Sequence, residues 1–197
     1  MATMAIHQAT MQFDPDMVAR LEATGWKAYY AHQWVRAFLL LVRMAQEQFH
    51  IPFPQSVVAA GYTVRASVAF APRDNAAALP AVRGSLRRFY ALVAAANDQP
   101  FDPDHAGDLE LDYWIVHREL ALAQAADDTP LVDSLARLHA ALFGADVAAM
   151  RPSAVSRARA AWHVDRITGR RSEDLEADWR LVYFYLRRCY EQIGAVI

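Results

Sequence analysis

The sequence predicts an all-α fold, a single-domain bundle of about seven or eight helices. Apolar residues recur every three or four positions along most of the chain, and no segment shows the strict alternation of a β-strand. Hydrophobic residues make up 55% of the 197 residues, whereas glycine and proline are few. A chain of this length and apolar content can bury one large core without disulfides or metal staples.

Capping residues mark where the helices begin and end. Asp14 and Asp102 each precede a proline, which places an N-cap carboxylate before a proline at the first helical position, and Thr129 is followed by a proline in the same way. Ser172 precedes an acidic turn that suits the start of a helix. Gly144 follows a helical stretch and is predicted to be its C-terminal cap.

These signals together predict eight helices. They cover residues 14–31, 33–50, 54–70, 80–96, 102–125, 130–143, 152–168 and 173–194. The first two could instead form one long helix with a weak point at Gly25. Four leucines at 4-3-4 spacing predict a core-facing stripe, with His139 at its rim. These leucines are Leu131, Leu135, Leu138 and Leu142.

Two short motifs occur twice and suggest an internal repeat. The tetrapeptide FDPD at 13–16 recurs at 101–104, and LRRFY at 86–90 is matched by LRRCY at 186–190. The prediction is a flexible leader over residues 1–12, followed by two four-helix halves over residues 13–100 and 101–197. The alternative is that FDPD is a good helix entrance and LRRxY a common helical pattern. The repeat matters because it aligns Glu22 with Glu110 and Trp26 with Trp114.

Composition excludes several functional classes. The net charge is −2, and a net charge of +3 over the last 47 residues is too weak to predict nucleic-acid binding. The arginine-rich stretch 151–171 is predicted to be a solvated face, and the alternative is a site for an anionic group. No uncharged apolar run is long enough for a transmembrane helix, and the first residues lack the features of a secretory signal. Cys189 is the only cysteine, and its aromatic neighbours predict a buried, inert thiol in a reducing, cytoplasmic setting. Phosphate-binding loops, zinc motifs and a nucleophile elbow are absent from the sequence.

A carboxylate and an imidazole lie within the apolar segment LELDYWIVHREL at 109–120. Glu110 and His117 are seven residues apart, so they share one helix face but are separated by about 10 Å along the axis. They can line one wall of a cavity, but they cannot chelate one ion by themselves. The alternative for His117 is a hydrogen-bonded residue at the core boundary. The residues predicted to line a small-molecule pocket between helices are Glu22, Trp26, Tyr30, Glu110, Tyr113, Trp114 and His117.

A metal centre is a further hypothesis for these residues. Glu47 and His50 form a Glu-x-x-His pair, the spacing that places both side chains on one metal in ferritin-like carboxylate proteins. The alternative is that His50 simply interacts with the carbonyl groups at a helix end. Carboxylates with a few imidazoles favour iron or manganese over zinc. The predicted metal ligands are Glu22, Glu110, His117, Glu47 and His50.

Two functional hypotheses follow from the sequence. The first is a helical bundle with a small-molecule pocket, working as a metal-dependent oxidase or oxygenase. The second is a non-catalytic protein that works through a partner surface or as a homo-oligomer, which the high apolar fraction favours. Convergence of Glu22, Glu110 and His117 on one interior cavity would favour the first hypothesis.

Overall fold

The computed structural model describes residues 12–97 and 101–197. Within these ranges the fold is all-α, as predicted, and contains eight α-helices. They are α1 (Pro15–Tyr30), α2 (Trp34–Phe49), α3 (Gln55–Phe70), α4 (Leu79–Asn97), α5 (Pro103–Ala123), α6 (Thr129–Phe143), α7 (Val147–Thr168) and α8 (Leu175–Gly194). A short 3₁₀ turn, Ala76–Ala78, precedes α4. Residues 1–11 of the predicted leader lie outside the described residues.

The helices pack in the order of the chain. Each helix lies against the next one, and α8 returns to pack on α1. As a result α1 lies between α8 and α2, and α5 lies between α4 and α6. These are the corresponding places that two four-helix halves would give them, although a duplication as such stays a prediction.

The two aspartates that precede prolines start their helices as predicted. Asp14 and Asp102 have the same extended backbone, with φ of −80° and ψ of 111°. Each carboxylate accepts a hydrogen bond at 2.9 Å from the backbone N–H two residues later. The caps satisfy backbone donors that a helix start would otherwise leave without partners.

Other predicted boundaries need correction. The N-cap of α6 is Asp128 rather than Thr129, and that of α8 is Asp174, whose carboxylate accepts from Ala177, rather than Ser172. Helix α7 begins at Val147, five residues before the predicted start, because the N–H of Met150 already bonds to the carbonyl of Asp146.

The alternative prediction of one continuous helix through Gly25 is wrong. The chain leaves α1 after Tyr30 and turns at His32, which adopts a left-handed φ of 58°. The turn is closed by a hydrogen bond from the N–H of Gln33 to the carbonyl of Ala28. This reversal separates α1 from α2, as the two-helix prediction required.

Burial differs strongly between α6 and α2. Helix α6 buries ten of its 15 residues, including the whole predicted leucine stripe, and His139 lies in the core rather than at its rim. Helix α2 buries only four of its 16 residues. Its exposed side chains include Val35, which is 76% exposed, and Leu39, which is 61% exposed. Helix α6 therefore contributes far more to the core than α2 does.

None of the helices in the described ranges is long and apolar enough to cross a membrane.

Candidate functional site

Glu22 lies in the core, where it is bound by an arginine. Both carboxylate oxygens of Glu22 accept hydrogen bonds from the Arg157 guanidinium, each at 2.6 Å. Tyr190 donates to the same carboxylate at 2.5 Å. The Arg157 guanidinium also lies 5.3 Å from the ring centroid of Trp26. The bidentate geometry is the strongest form of an arginine–carboxylate pair.

Glu110 accepts hydrogen bonds from two neutral donors. Tyr90 donates to one oxygen at 3.0 Å, and the indole of Trp114 donates to the other at 2.7 Å. Burial raises the pKa of Glu110 above its usual range, and the charge of Glu22 adds to this effect. The charge of Arg157 and the two hydrogen bonds oppose it only in part.

The contacts of Glu22 and Glu110 correspond between the two predicted halves. Glu22 pairs with Tyr190, and Glu110 pairs with Tyr90, so each glutamate meets a tyrosine of the other half. The same tyrosines pack edge-on against the phenylalanines of the two FDPD motifs, Phe13 at 5.6 Å and Phe101 at 6.2 Å. Arg157 breaks the correspondence, because it forms its ion pair with Glu22.

His117 forms a hydrogen-bonded pair with an aspartate of α7. The distance from His117 Nε2 to Asp165 Oδ2 is 3.0 Å, and both side chains are about one quarter exposed. An ionised Asp165 only accepts, so it fixes the proton of neutral His117 on Nε2. Nδ1 is then the hydrogen-bond acceptor of the ring. The ring of Tyr113 stacks parallel to the imidazole, with centroids 6.1 Å apart.

This pair lies in the wall of a shallow cleft formed by α5, α6 and α7. The volume of the cleft is about 100 Å³. Its lining residues come from the end of α5, the loop between α5 and α6, the start of α6, the second half of α7 and the loop after α7. They include His117, Leu120, Gln124, Asp127, Asp128, Leu131, Ala158, Trp162, Asp165 and Arg171.

Two predicted pocket tyrosines lie close to this pair. Tyr30 is 45% exposed, and its partial burial together with the charge of Asp165 raises its pKa. Burial likewise raises the pKa of Tyr113 to about 12. Both phenols therefore stay protonated at neutral pH and can donate hydrogen bonds. The predicted pocket residues thus divide between a filled core around Glu22 and Glu110 and an open cleft at His117.

The predicted metal ligands are distributed over separate places. Glu47 pairs with Arg43 at 2.8 Å on the side of α2, and His50 ends that helix with a left-handed φ of 50°. Glu22, Glu110 and His117 have the partners described above. In residues 12–97 and 101–197, no group of three or more His, Cys, Asp and Glu side chains is placed to hold a metal ion. Iron or manganese binding therefore stays a prediction.

The sequence interpretation missed the two α7 residues that organise the site. Arg157 lies within the stretch predicted to be solvated, yet its side chain is only 16% exposed. Asp165 is two residues from His163 in α7, but it pairs with His117 of α5. No pattern of neighbouring residues in the sequence indicates this pairing. His163 instead bonds to Asp178 at 2.7 Å. A buried alanine series, Ala154, Ala158 and Ala161, was the available sign that α7 has an inward face.

No protein-family model, curated protein or solved structure matches the chain at a significant level.

Proposed function

We propose that this protein binds a small molecule in the cleft between α5, α6 and α7, with His117 as the polar anchor. The observation that carries the proposal is the His117–Asp165 hydrogen bond in the cleft wall. The cleft is concave, and polar groups held in a fixed orientation within a concave surface are a feature of ligand sites. The reducing, cytoplasmic setting predicted for the protein is part of the same proposal and is supported by the buried Cys189 thiol.

The size of the cleft limits the ligand. A volume of about 100 Å³ corresponds to about three water molecules. It is well below the volume of about 300 to 1,000 Å³ typical of sites for drug-sized ligands. The ligand is therefore a very small molecule, or a larger one that inserts a single group and extends into solvent.

Metal-dependent oxidation has less support than simple binding. Two of the proposed ligands, Glu22 and Glu110, already use both carboxylate oxygens in hydrogen bonds. A metal would have to displace Arg157 from Glu22, which would leave a buried guanidinium without its counter-charge. Elemental analysis of protein purified without chelators or a metal-affinity tag tests this directly. Near-stoichiometric iron or manganese that is lost in Glu110→Ala would restore the oxidase hypothesis.

Fragment binding observed by NMR tests the proposed site. We expect very small polar fragments to shift the His117 imidazole resonances, which the His117→Gln spectrum would assign. His117→Gln should weaken binding, whereas His105→Gln should not, because His105 is an exposed residue of the same helix. Fragments that shift other resonances but leave those of His117 unchanged would contradict the proposal.

Self-association is the second candidate function, and the exposed apolar side chains of the first half favour it. Val35 and Leu39 of α2 are exposed, and so is Val68 of α3, which is 67% exposed. Sedimentation velocity should show a dimer that dissociates in Leu39→Ser. Leu175→Ser alters an exposed leucine of α8 and should leave the dimer intact. A monomer at every protein concentration would exclude this function.

A further inference from the structure

We infer that the cleft at His117 takes a small organic cation, such as a protonated amine or an amidinium group. This inference rests on the proposed function and adds the chemical class of the ligand. Charged groups, hydrogen-bond acceptors and an aromatic side chain line the cleft.

The charges in the cleft wall favour a cation. Three aspartates, Asp127, Asp128 and Asp165, line the cleft, and Arg171 is the one arginine among the lining residues. The Arg171 guanidinium already donates to the backbone carbonyl of Asp165 at 3.3 Å. The lining side chains other than His117 therefore carry two more negative than positive charges. Within a Debye length of about 8 Å this excess of negative charge attracts a cation, against the opposing charge of the Arg166 guanidinium, which lies 4.9 Å from the Trp162 ring centroid and 3.6 Å from Asp178.

The hydrogen-bonding groups favour a ligand that donates. His117 offers Nδ1 as an acceptor when its Nε2 proton is held by Asp165. The α5 C-terminus at Gln124 and the α6 N-terminus at Asp128 both border the cleft, and their opposite partial charges offset each other. The carboxylates of Asp127 and Asp128 are further acceptors in the cleft wall. An amidinium group could donate to several of these acceptors at once because its N–H groups diverge.

Trp162 adds an aromatic surface suited to a cation. Its side chain is 53% exposed and lines the cleft. The guanidinium of Arg166 already lies 4.9 Å from the centroid of this ring. Cations are attracted to indole faces more strongly than to other aromatic rings. The exposed part of the Trp162 ring can contact a second cation held in the cleft.

Three isosteric probes of different charge test the inference. Acetamidinium, acetamide and acetate have nearly the same shape and carry positive, zero and negative charge, and each is small enough for the cleft. We would titrate each one into the full-length protein and follow the His117 imidazole resonances. Acetamidinium should bind most tightly, and raising the salt concentration should weaken its binding.

Two aspartate variants locate the charge effect. Asp128→Asn removes a charge from a residue whose side chain makes no capping hydrogen bond, and it should weaken acetamidinium binding by about two- to fivefold. Asp165→Asn should weaken it by about tenfold or more, because it also removes the partner of His117. Asp112→Asn, at an exposed position of α5 outside the cleft lining, should leave binding unchanged.

The outcomes separate the ligand class from the site. Stronger binding of acetamide or acetate at His117 would overturn the cation but keep the proposed site. Equal loss of binding in Asp128→Asn and Asp112→Asn would also overturn the cation. If none of the three probes shifts the His117 resonances, while fragments shift them, the ligand is not a small cation. If neither the probes nor any fragment shifts them, both proposals fail.

Discussion

Arg157 and Glu22 lie 135 positions apart in the chain and form a bidentate ion pair in the core, with both N–O distances at 2.6 Å. The pair links α7 to α1. Tyr190 of α8 binds the same carboxylate, so three helices meet at this point. Such a buried pair requires a well-defined arrangement of the helices, because either charge alone would be costly in the interior.

Arg157→Met should therefore destabilise the protein strongly. It leaves the Glu22 carboxylate buried without its counter-charge, and we expect the free energy of unfolding to fall by about 3 to 5 kcal/mol. Urea unfolding measures this loss. Arg151→Met on the same helix breaks an exposed pair with Asp133 and should cost about 0 to 1 kcal/mol.

A second replacement at Glu22 distinguishes a buried charge from lost packing. Adding Glu22→Leu to Arg157→Met removes the unpaired carboxylate, so the double variant should recover part of the lost stability. Equal stability of Arg157→Met and Arg151→Met would show that the core pair contributes little.

Glu110 should make stability fall as the pH rises. Its pKa is raised in the folded state, mainly by burial, so its contribution is fully present below the ordinary glutamate pKa of about 4.3. Above that pH the unfolded chain ionises first, and the contribution is lost as the pH rises through the folded pKa. Glu110→Gln should gain stability relative to wild type over this interval, as measured by urea unfolding at several pH values.

The matched control for Glu110 is Glu119→Gln, an exposed residue of the same helix. It should show the pH dependence of the wild type. If Glu110→Gln also follows the wild type at every pH, the carboxyl does not titrate differently in the folded state.

His139 should make stability fall as the pH falls, which is the opposite of the effect expected for Glu110. Burial lowers its pKa to about 3, and the charge of Arg157 contributes to this shift. Because the hydroxyl of Ser153 donates to the Met150 carbonyl, the Nδ1–H of neutral His139 donates to Ser153 at 2.8 Å. The unfolded chain takes up a proton below about pH 6.5. Stability is therefore lost as the pH falls from there toward the folded pKa, by at most about 1.4 kcal/mol per pH unit.

His139→Asn can keep the donor to Ser153 but removes the titration. Its unfolding free energy should depend less on pH than that of the wild type on the acid side of neutrality. His105→Gln is the exposed control and should retain the wild-type slope. An unchanged slope in His139→Asn would mean that other groups cause the acid sensitivity.

Gly107 should tolerate no side chain. A Cβ atom at this position would lie 2.8 Å from the backbone nitrogen of Arg87, where α5 crosses α4. Gly107→Ala must push the helices apart and should cost about 1 to 3 kcal/mol. Gly61 lies on the exposed side of α3, and a Cβ atom added there by Gly61→Ala would have no neighbour within 4 Å. Gly61→Ala should therefore stabilise the protein by about 0.5 to 1 kcal/mol, as measured by thermal or urea unfolding.

Cys189 should be unreactive in the folded protein. Its side chain is 1% exposed, and burial raises the pKa of the thiol to about 12. Since the thiolate is the reactive form, a thiol reagent should modify Cys189 only after unfolding. The rate of modification should follow the unfolded fraction as urea is added. Rapid modification without urea would show that α8 opens locally.

Much of the fold was predictable from the sequence because helix signals are local. The periodic apolar pattern and the Asp-Pro caps at Asp14 and Asp102 placed the helices, and the leucine stripe of α6 is buried as expected. The start of α7 was misplaced: the prediction began at residue 152, whereas Asp146 is the N-cap and the helix begins at Val147, five residues earlier.

The candidate site was predictable only in part. Glu22, Glu110 and His117 were identified as polar residues on apolar helix faces, but their partners were not. Arg157 looked like one of several solvated arginines, because charge and spacing alone do not show which one points inward. Asp165 and His117 are 48 residues apart, and no local pattern links them.

The sequence by itself therefore determined the helical class, most helix boundaries and the polar residues on the inward faces. Capping bonds and apolar periodicity depend on residues within a few positions of each other, so they can be read along the chain. Only the tertiary structure decided that Glu22 meets Arg157, that Glu110 meets Tyr90 and Trp114, and that His117 opens onto a cleft beside Asp165. Those pairings depend on which helices become neighbours and on which side chains share the space between them.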